Sequence, residues 1–246
     1  PDGFQSLNAA NVRPETVISR PDQYVGIVTY TGDGNSPRKI SGYNFAPDLI
    51  WYKQRNSARD HQLYDTVRGE GTNKNLSSNT TYSETANDDE LYGYTSAFND
   101  NGFTVTTGSS NFNYANANSS TYVAWAWKAG GNKNTFNVDD VGYASAAAAG
   151  LDGGTITPTG ASVGTKQGFS IIKYTANGSS GATYSHGLNE TPSFVITKRL
   201  NGSSSSWIVH HQSLGTAKEL EMDGTNAASS RGDFSGMSST VVTLSN

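Results

Sequence analysis

The sharpest candidate for chemistry is the acidic run Glu219-Leu-Glu-Met-Asp223. On a strand, alternate residues share a face, so successive carboxylates of the three would sit about 6.5–7 Å apart. Retaining glycoside hydrolysis needs two carboxyl groups about 5–5.5 Å apart, one acting as acid and one as nucleophile. The acidic run is therefore the candidate for catalysis. The shorter terminal acid, Asp223, alters the reach that such a pair needs. A solvated strand face is the expected reading, with a glycosidase using residues 219–223 as the alternative.

Other groups carry less chemistry. His210 and His211 are adjacent, so on a strand they point to opposite faces and make a poor metal pair. His61 follows Asp60 as a dyad would, yet no nucleophile elbow accompanies them. Asn87-Asp-Asp-Glu90 and Asn99-Asp-Asn-Gly102 are rich in oxygen, the ligand atom of calcium, but lack the spacing of an EF-hand loop and read as turns. Arg231-Gly-Asp233 matches an integrin-binding tripeptide, and Asn79-Thr-Thr81 and Asn201-Gly-Ser203 match glycosylation acceptors. This composition supplies all three readily. The candidate ligand contacts are Asn111, Phe112, Asn113 and Tyr114, in a loop expected to expose aromatics beside amides. No catalytic residue, metal ligand or cofactor is assigned.

Composition narrows the class. Ser, Thr, Asn and Gly make up 107 of 246 residues, charged residues are 15%, and the formal charge is −4. A sequence pI near 5.5 gives no electrostatic footprint for nucleic acid. No apolar run is long enough to insert in a membrane. Cysteine is absent, which excludes a disulfide scaffold and cysteine-ligated zinc.

The elements that must position these groups are strands. Short stretches rich in β-branched and aromatic residues recur between Gly/Asn/Ser/Asp clusters: 25–30, 49–54, 102–107, 122–128, 168–175, 193–198, 206–210 and 240–244. In Tyr122-Val-Ala-Trp-Ala-Trp-Lys128, alternation puts Val123, Trp125 and Trp127 on one face, expected to be the inner one. Trp51 and Trp207 are likewise expected in cores. The Ala-rich run Tyr143–Ala149 is the best helix candidate but is too short to stand alone.

The chain also repeats. Val28-Thr-Tyr-Thr-Gly32 matches Ile172-Lys-Tyr-Thr-Ala176, which makes Tyr30 and Tyr174 equivalent. Phe45–Lys53 matches Glu190–Lys198, each with Pro before a strand that ends in Lys. Leu63–Gly69 matches Val209–Gly215, and Lys74-Asn-Leu76 matches Lys218-Glu-Leu220. The period exceeds any solenoid repeat. The fold expected is all-β: two related antiparallel β-sandwich modules, jelly-roll or concanavalin-like, joined by a docked connector. The boundaries are 1–23 for an N-terminal linker, 24–130 for the first module, 131–167 for the connector and 168–246 for the second module. Thr135–Tyr143 of the connector is expected to dock on the first module. Asn75-Leu-Ser-Ser-Asn79, the first-copy counterpart of the acidic run, contains no acid.

Three segments carry a resemblance: Gly42-Tyr-Asn-Phe-Ala-Pro-Asp-Leu-Ile-Trp-Tyr-Lys-Gln-Arg55, Tyr64-Asp-Thr-Val-Arg-Gly69 and Thr121-Tyr-Val-Ala-Trp-Ala-Trp-Lys-Ala-Gly130. They resemble a β-sandwich module of tailed-phage virion proteins, as in marine cyanophages. That module is often duplicated and follows a SPRY-type, concanavalin-like domain. Pro1–Asn11 is similar to the linker after that domain, and Asn132–Ser145 to the family's connector. The resemblance implies a structural or adhesive virion component: a tail fibre, an appendage or a capsid fibre. Its implied partners are other copies of itself in a homo-oligomer, other virion proteins and host surface polysaccharide. No enzymatic activity is implied. Laminarinase- and lichenase-type glycosidases carry an acidic strand ordered Glu-x-Asp-x-Glu, and the run at 219–223 departs from it.

The copies differ in length. With Thr240–Ser245 set against Gly102–Thr107, nothing remains to match Thr121–Lys128, so the second copy is expected to lack its closing strand. Either the natural chain continues past Asn246, the favoured expectation, or a neighbouring subunit donates a strand.

Overall fold

A computed structural model describes residues 18–84, 86, 88–202, 204–215, 218–230 and 232–245. Most of the expected N-terminal linker, Asn87 of the first oxygen-rich cluster and Arg231 of the Arg-Gly-Asp run lie outside the described residues. The regular structure of the described chain is nearly all strand. In its first part run β1 (Val25–Thr31), β2 (Arg38–Ser41), β3 (Leu49–Gln54), β4 (Gln62–Asp65), β5 (Tyr94–Asn99), β6 (Gly102–Thr106) and β7 (Thr121–Trp127). One four-residue helix, α1 (Asp89–Tyr92), precedes β5. Two antiparallel sheets result, ordered β1-β7-β3-β4 and β2-β6-β5. Their inner faces share one core, with Ile40 and Phe103 from the second sheet packed with Ile50, Tyr52, Tyr64, Ala124 and Ala126 from the first.

The inner face of β7 is the reverse of the one expected. Tyr122, Ala124 and Ala126 are fully buried, whereas Val123, Trp125 and Trp127 are half-buried on the outer face. Space decides this. Tyr52 stacks on Phe103 at 5.5 Å and on Tyr64 at 6.3 Å between ring centroids. That aromatic layer fills the core and leaves room opposite for alanine. Alternation defines two faces but does not say which is inward.

The connector is itself structured. β8 (Phe136–Val138), β9 (Val141–Tyr143) and β10 (Gly160–Gly164) join β11 (Phe169–Lys173) in a sheet ordered β11-β10-β8-β9, in which β8 and β10 run parallel. Its apolar side chains do not dock on the first part as expected. Phe136, Val138 and Tyr143 cluster with Leu151 and Val163 and with Ile172 and Leu188 of the following segment. Contact with the first part is polar: Gly130 N–H donates to Ser162 Oγ at 2.9 Å, and Lys128 pairs with Asp140 at 2.7 Å. Gly130 permits this approach, since a Cβ there would lie 2.4 Å from the Val163 backbone. The Ala-rich run after Tyr143 forms turns.

After β11 come β12 (Thr183–Ser185), β13 (Phe194–Thr197), β14 (Ile208–His211), β15 (Leu220–Glu221), β16 (Phe234–Met237) and β17 (Val241–Leu244). They form two sheets, β13-β14-β15 and β12-β17-β16, whose core joins Tyr184, Ile208, Phe234 and Val242 with Ile172 and Val195. The registers mirror those of the first part. Leu49↔Asp65 and Tyr52↔Gln62 in β3–β4 correspond to Phe194↔His211 and Thr197↔Ile208 in β13–β14. The bridge Leu63↔Leu76 corresponds to Val209↔Leu220. The irregularity between Thr95 and Ala97 of β5 recurs between Phe234 and Gly236 of β16. This register sets Gly102 against Val241, one residue later than the expected match to Thr240.

Candidate functional site

The acidic run is not one strand face. β15 holds only Leu220 and Glu221, and the chain turns at Met222 and Asp223. Each carboxylate has its own structural task. Glu219 is 1% exposed, and its Oε1 accepts the Phe234 N–H at 2.7 Å. Burial, and after it the neighbouring Asp233, push its carboxyl pKa upward. Glu221 accepts from the Asn226 side-chain amide at 3.1 Å, and Asp223 accepts the Trp207 backbone N–H at 2.7 Å. A hollow of about 390 Å³ beside β13–β15 is lined by Phe194, Val209, Leu220 and Met222, and Glu221 is its one acidic residue.

The loop expected to expose aromatics turns them inward. Phe112 and Tyr114 are 6% and 9% exposed, and Phe112 belongs to the first core. Burial is the leading cause that lifts the Tyr114 phenol to about 12. Asn111 and Asn113 are half-buried, and the Asn111 side-chain oxygen accepts the Asn113 N–H at 3.0 Å. An alternation of aromatic and amide residues has the same sequence signature whether the rings turn in or out. Here the rings turn in because the loop closes one end of the core.

The histidines do structural work. The Trp51 indole N–H donates to His61 Nδ1 at 2.8 Å, while Asp60 accepts from the Asn79 side chain at 2.6 Å, so the two form no dyad. Desolvation lowers the His61 pKa, consistent with a neutral, accepting ring. His211 Nδ1 accepts the Ser213 N–H at 3.1 Å. Its register counterpart Asp65 accepts the Val67 N–H at the same distance. His210 lies near Phe234 and His211 near Phe194, so the adjacent rings diverge. Asn99–Gly102 forms the β5–β6 turn. Among the described residues no three His, Asp or Glu side chains gather as a metal site.

Asp48 is the polar anchor of the first part. It is 1% exposed. Its Oδ2 accepts the Ala129 and Gly131 N–H groups at 2.7 and 3.1 Å, and its Oδ1 accepts from the Thr66 hydroxyl at 3.1 Å. Burial raises its pKa against those hydrogen bonds. One side chain thus ties the start of β3 to the ends of β4 and β7.

The most exposed apolar surface was not anticipated. On the outer face of the β1-β7-β3-β4 sheet, one row places Ile27, Trp125 and Trp51 in register, and the next places Val25, Trp127 and Leu49. Ile27 is 64% and Val25 41% exposed. Trp51 and Trp125 meet edge to face at 6.1 Å. The signal lay in the alternating Val25-Gly-Ile-Val-Thr sequence beside Trp-Ala-Trp, once the inner face had been assigned to alanine.

The model of a family described as Domain of unknown function (DUF7483) matches residues 20–246. The chain belongs to this family. The match takes in both hairpins β3–β4 and β13–β14, so the family's unit contains the repeated registers. No curated protein and no solved structure matches the chain.

Proposed function

We propose that the chain is a non-enzymatic structural and adhesive component of a phage virion, a tail fibre, an appendage or a capsid fibre, built from two related β-sandwich modules in tandem. The observation that carries this reading is the repeated strand register, including the irregularity shared by β5 and β16. Duplicated modules suit extended assemblies, because each copy needs only its own core and one contact with its neighbour. Here that contact is the Trp207 side chain seated on Leu63 and Leu76. The resemblance of 42–55, 64–69 and 121–130 to phage virion modules supplies the setting, since fold alone does not give function.

The adhesive part of the reading rests on the outer aromatic strip around Trp51, Trp125 and Trp127. Half-exposed indoles stack on the apolar faces of sugar rings, which makes host surface polysaccharide the ligand class, and copies of the chain and other virion proteins its neighbours. Quantitative proteomics of density-purified virions tests the setting. The chain should co-purify in fixed ratio to the major capsid protein. Particles assembled without it would overturn the reading.

A further inference from the structure

Resting on the tandem-module reading, we propose that the second module is a strand acceptor. Between β11 and β13 it receives one extended β7-like segment from outside the described strands, antiparallel to both. Successive residues of a strand aim their backbone groups at opposite edges, so the slot can be located. In the first module β7 lies between β1 and β3. Tyr24 and Gly32 at the ends of β1 bond to Lys128 and Ser120 at 2.8 and 2.7 Å, which places the even-numbered residues of β1 towards β7. Their counterparts in and beside β11 are even-numbered too. Yet β11 reaches β10 through odd residues: the Lys173 carbonyl accepts from Thr159, and the N–H of Ala161, opposite Ile172, turns away to Thr135. β10 therefore occupies the other edge of β11, and among the described residues no strand lies on the edge matching that of β1 beside β7.

The same holds across the slot. Arg55, just after β3, donates to Thr121, so odd residues of β3 face β7 while Asp48 turns its carbonyl to Thr66 after β4. In β13 the Ser193 carbonyl accepts from Gln212, so odd residues bond β14 and the backbone of Phe194 and Ile196 faces outward. Both β11 and β13 end their sheets. Core filling agrees. Ile50 and Tyr52 are 0% exposed, whereas their counterparts Val195 and Thr197 are half-buried, and Phe194 is 56% exposed. Tyr30 stacks on Tyr122 of β7 at 4.9 Å, and its counterpart Tyr174 stacks instead on Tyr184 of β12.

β7 defines the occupant. Its inward residues Tyr122, Ala124 and Ala126 are fully buried and its outward ones are Val123, Trp125 and Trp127. The donor is an extended segment with small residues at alternate inward positions and bulky apolar residues between them, docking by β-augmentation. β7 itself is paired on both edges in the first module, and each other described strand is placed in a sheet, so the donor is a β7-like segment from outside the described strands.

The test uses the whole chain and a labelled peptide of residues 120–128. Saturable binding is expected, with new hydrogen-exchange protection at Ser170, Ile172, Phe194 and Ile196. Ala124→Arg with Ala126→Arg in the peptide should weaken binding at least about tenfold, as a charge would enter the core. A second variant carries the same segment appended through a flexible linker. Its Tm should rise by at least about 5 °C, and the doubly substituted segment should give no rise. Absence of both effects overturns the proposal, as does self-association that covers these amides and is not displaced by peptide. If Val195 and Thr197 are also unprotected in the free chain, the tandem-module reading itself fails; if they are protected and the peptide and fusion do nothing, only the acceptor proposal falls.

Discussion

The Trp207 indole N–H donates to the Ser77 carbonyl at 2.9 Å, joining residues 130 positions apart in the chain. The ring is 6% exposed, packs with Leu63 and Leu76, and lies beneath the Lys198 ammonium at 5.8 Å. Lys198 also donates to the Thr81 carbonyl at 2.9 Å. Burial of a polar heterocycle with its one donor satisfied makes this the fixed point between the two halves.

Trp207→Ala should therefore cost about 3–5 kcal/mol, through lost area and an empty site. Trp207→Phe keeps most of the area and should cost about 1–2 kcal/mol, for the smaller ring and the lost indole hydrogen bond, while the Ser77 carbonyl keeps the Thr80 N–H at 3.2 Å. Urea unfolding of both variants measures the difference. Equal losses would mean that the hydrogen bond and the ring's packing do not matter separately.

The two faces of β7 make a sharper contrast. Ala124→Leu forces extra volume against Tyr52 and Tyr43 and should cost about 1–3 kcal/mol, whereas Trp125→Ala acts on the half-exposed outer face and should cost less. Thermal unfolding ranks the pair. A larger loss for Trp125→Ala would reverse the assignment of the faces.

Strand positions were legible in the sequence because Val, Ile, Tyr and Trp cluster between turn residues; Leu49–Gln54 is read to its ends. The hairpin repeat was legible for the same reason. Facing was not, since alternation in 122–128 is symmetric and the deciding bulk of Tyr52 and Phe103 comes from other strands. β10 escaped notice because Gly160-Ala-Ser-Val-Gly164 has one β-branched residue and is held as a strand by partners on both sides. The inward turn of Phe112 and Tyr114 was hidden for a related reason: sequence reveals a ring but not the vacancy that it fills.

Glu219 gives a pH signature. Its carboxyl pKa is raised in the folded chain, so the native state holds the proton over a range in which the unfolded state has released it. Its contribution to stability is present below the unfolded value, near 4.3, and is lost as pH rises through the folded value. Glu219→Gln keeps an acceptor for Phe234 without the charge. The variant should gain on the parent at pH 8, with the gain shrinking toward zero near pH 4. Paired melting curves at both pH values check this, and a gain that grew on acidification would contradict it.

Purified protein should release no reducing sugar from laminarin, agar or alginate, because Glu219, Glu221 and Asp223 are each engaged with a different partner. Turnover abolished by Glu219→Gln would reinstate the glycosidase reading.

Residue-resolved amide exchange on the free chain tests most directly the claim that the second module repeats the first without its central strand. All the amides of β3 should be protected, since β4 covers one edge and β7 the other. In β13 protection should alternate, with Val195 and Thr197 slow against β14 and Phe194 and Ile196 fast at the open edge. Uniform protection along β13 in the free chain would contradict the account.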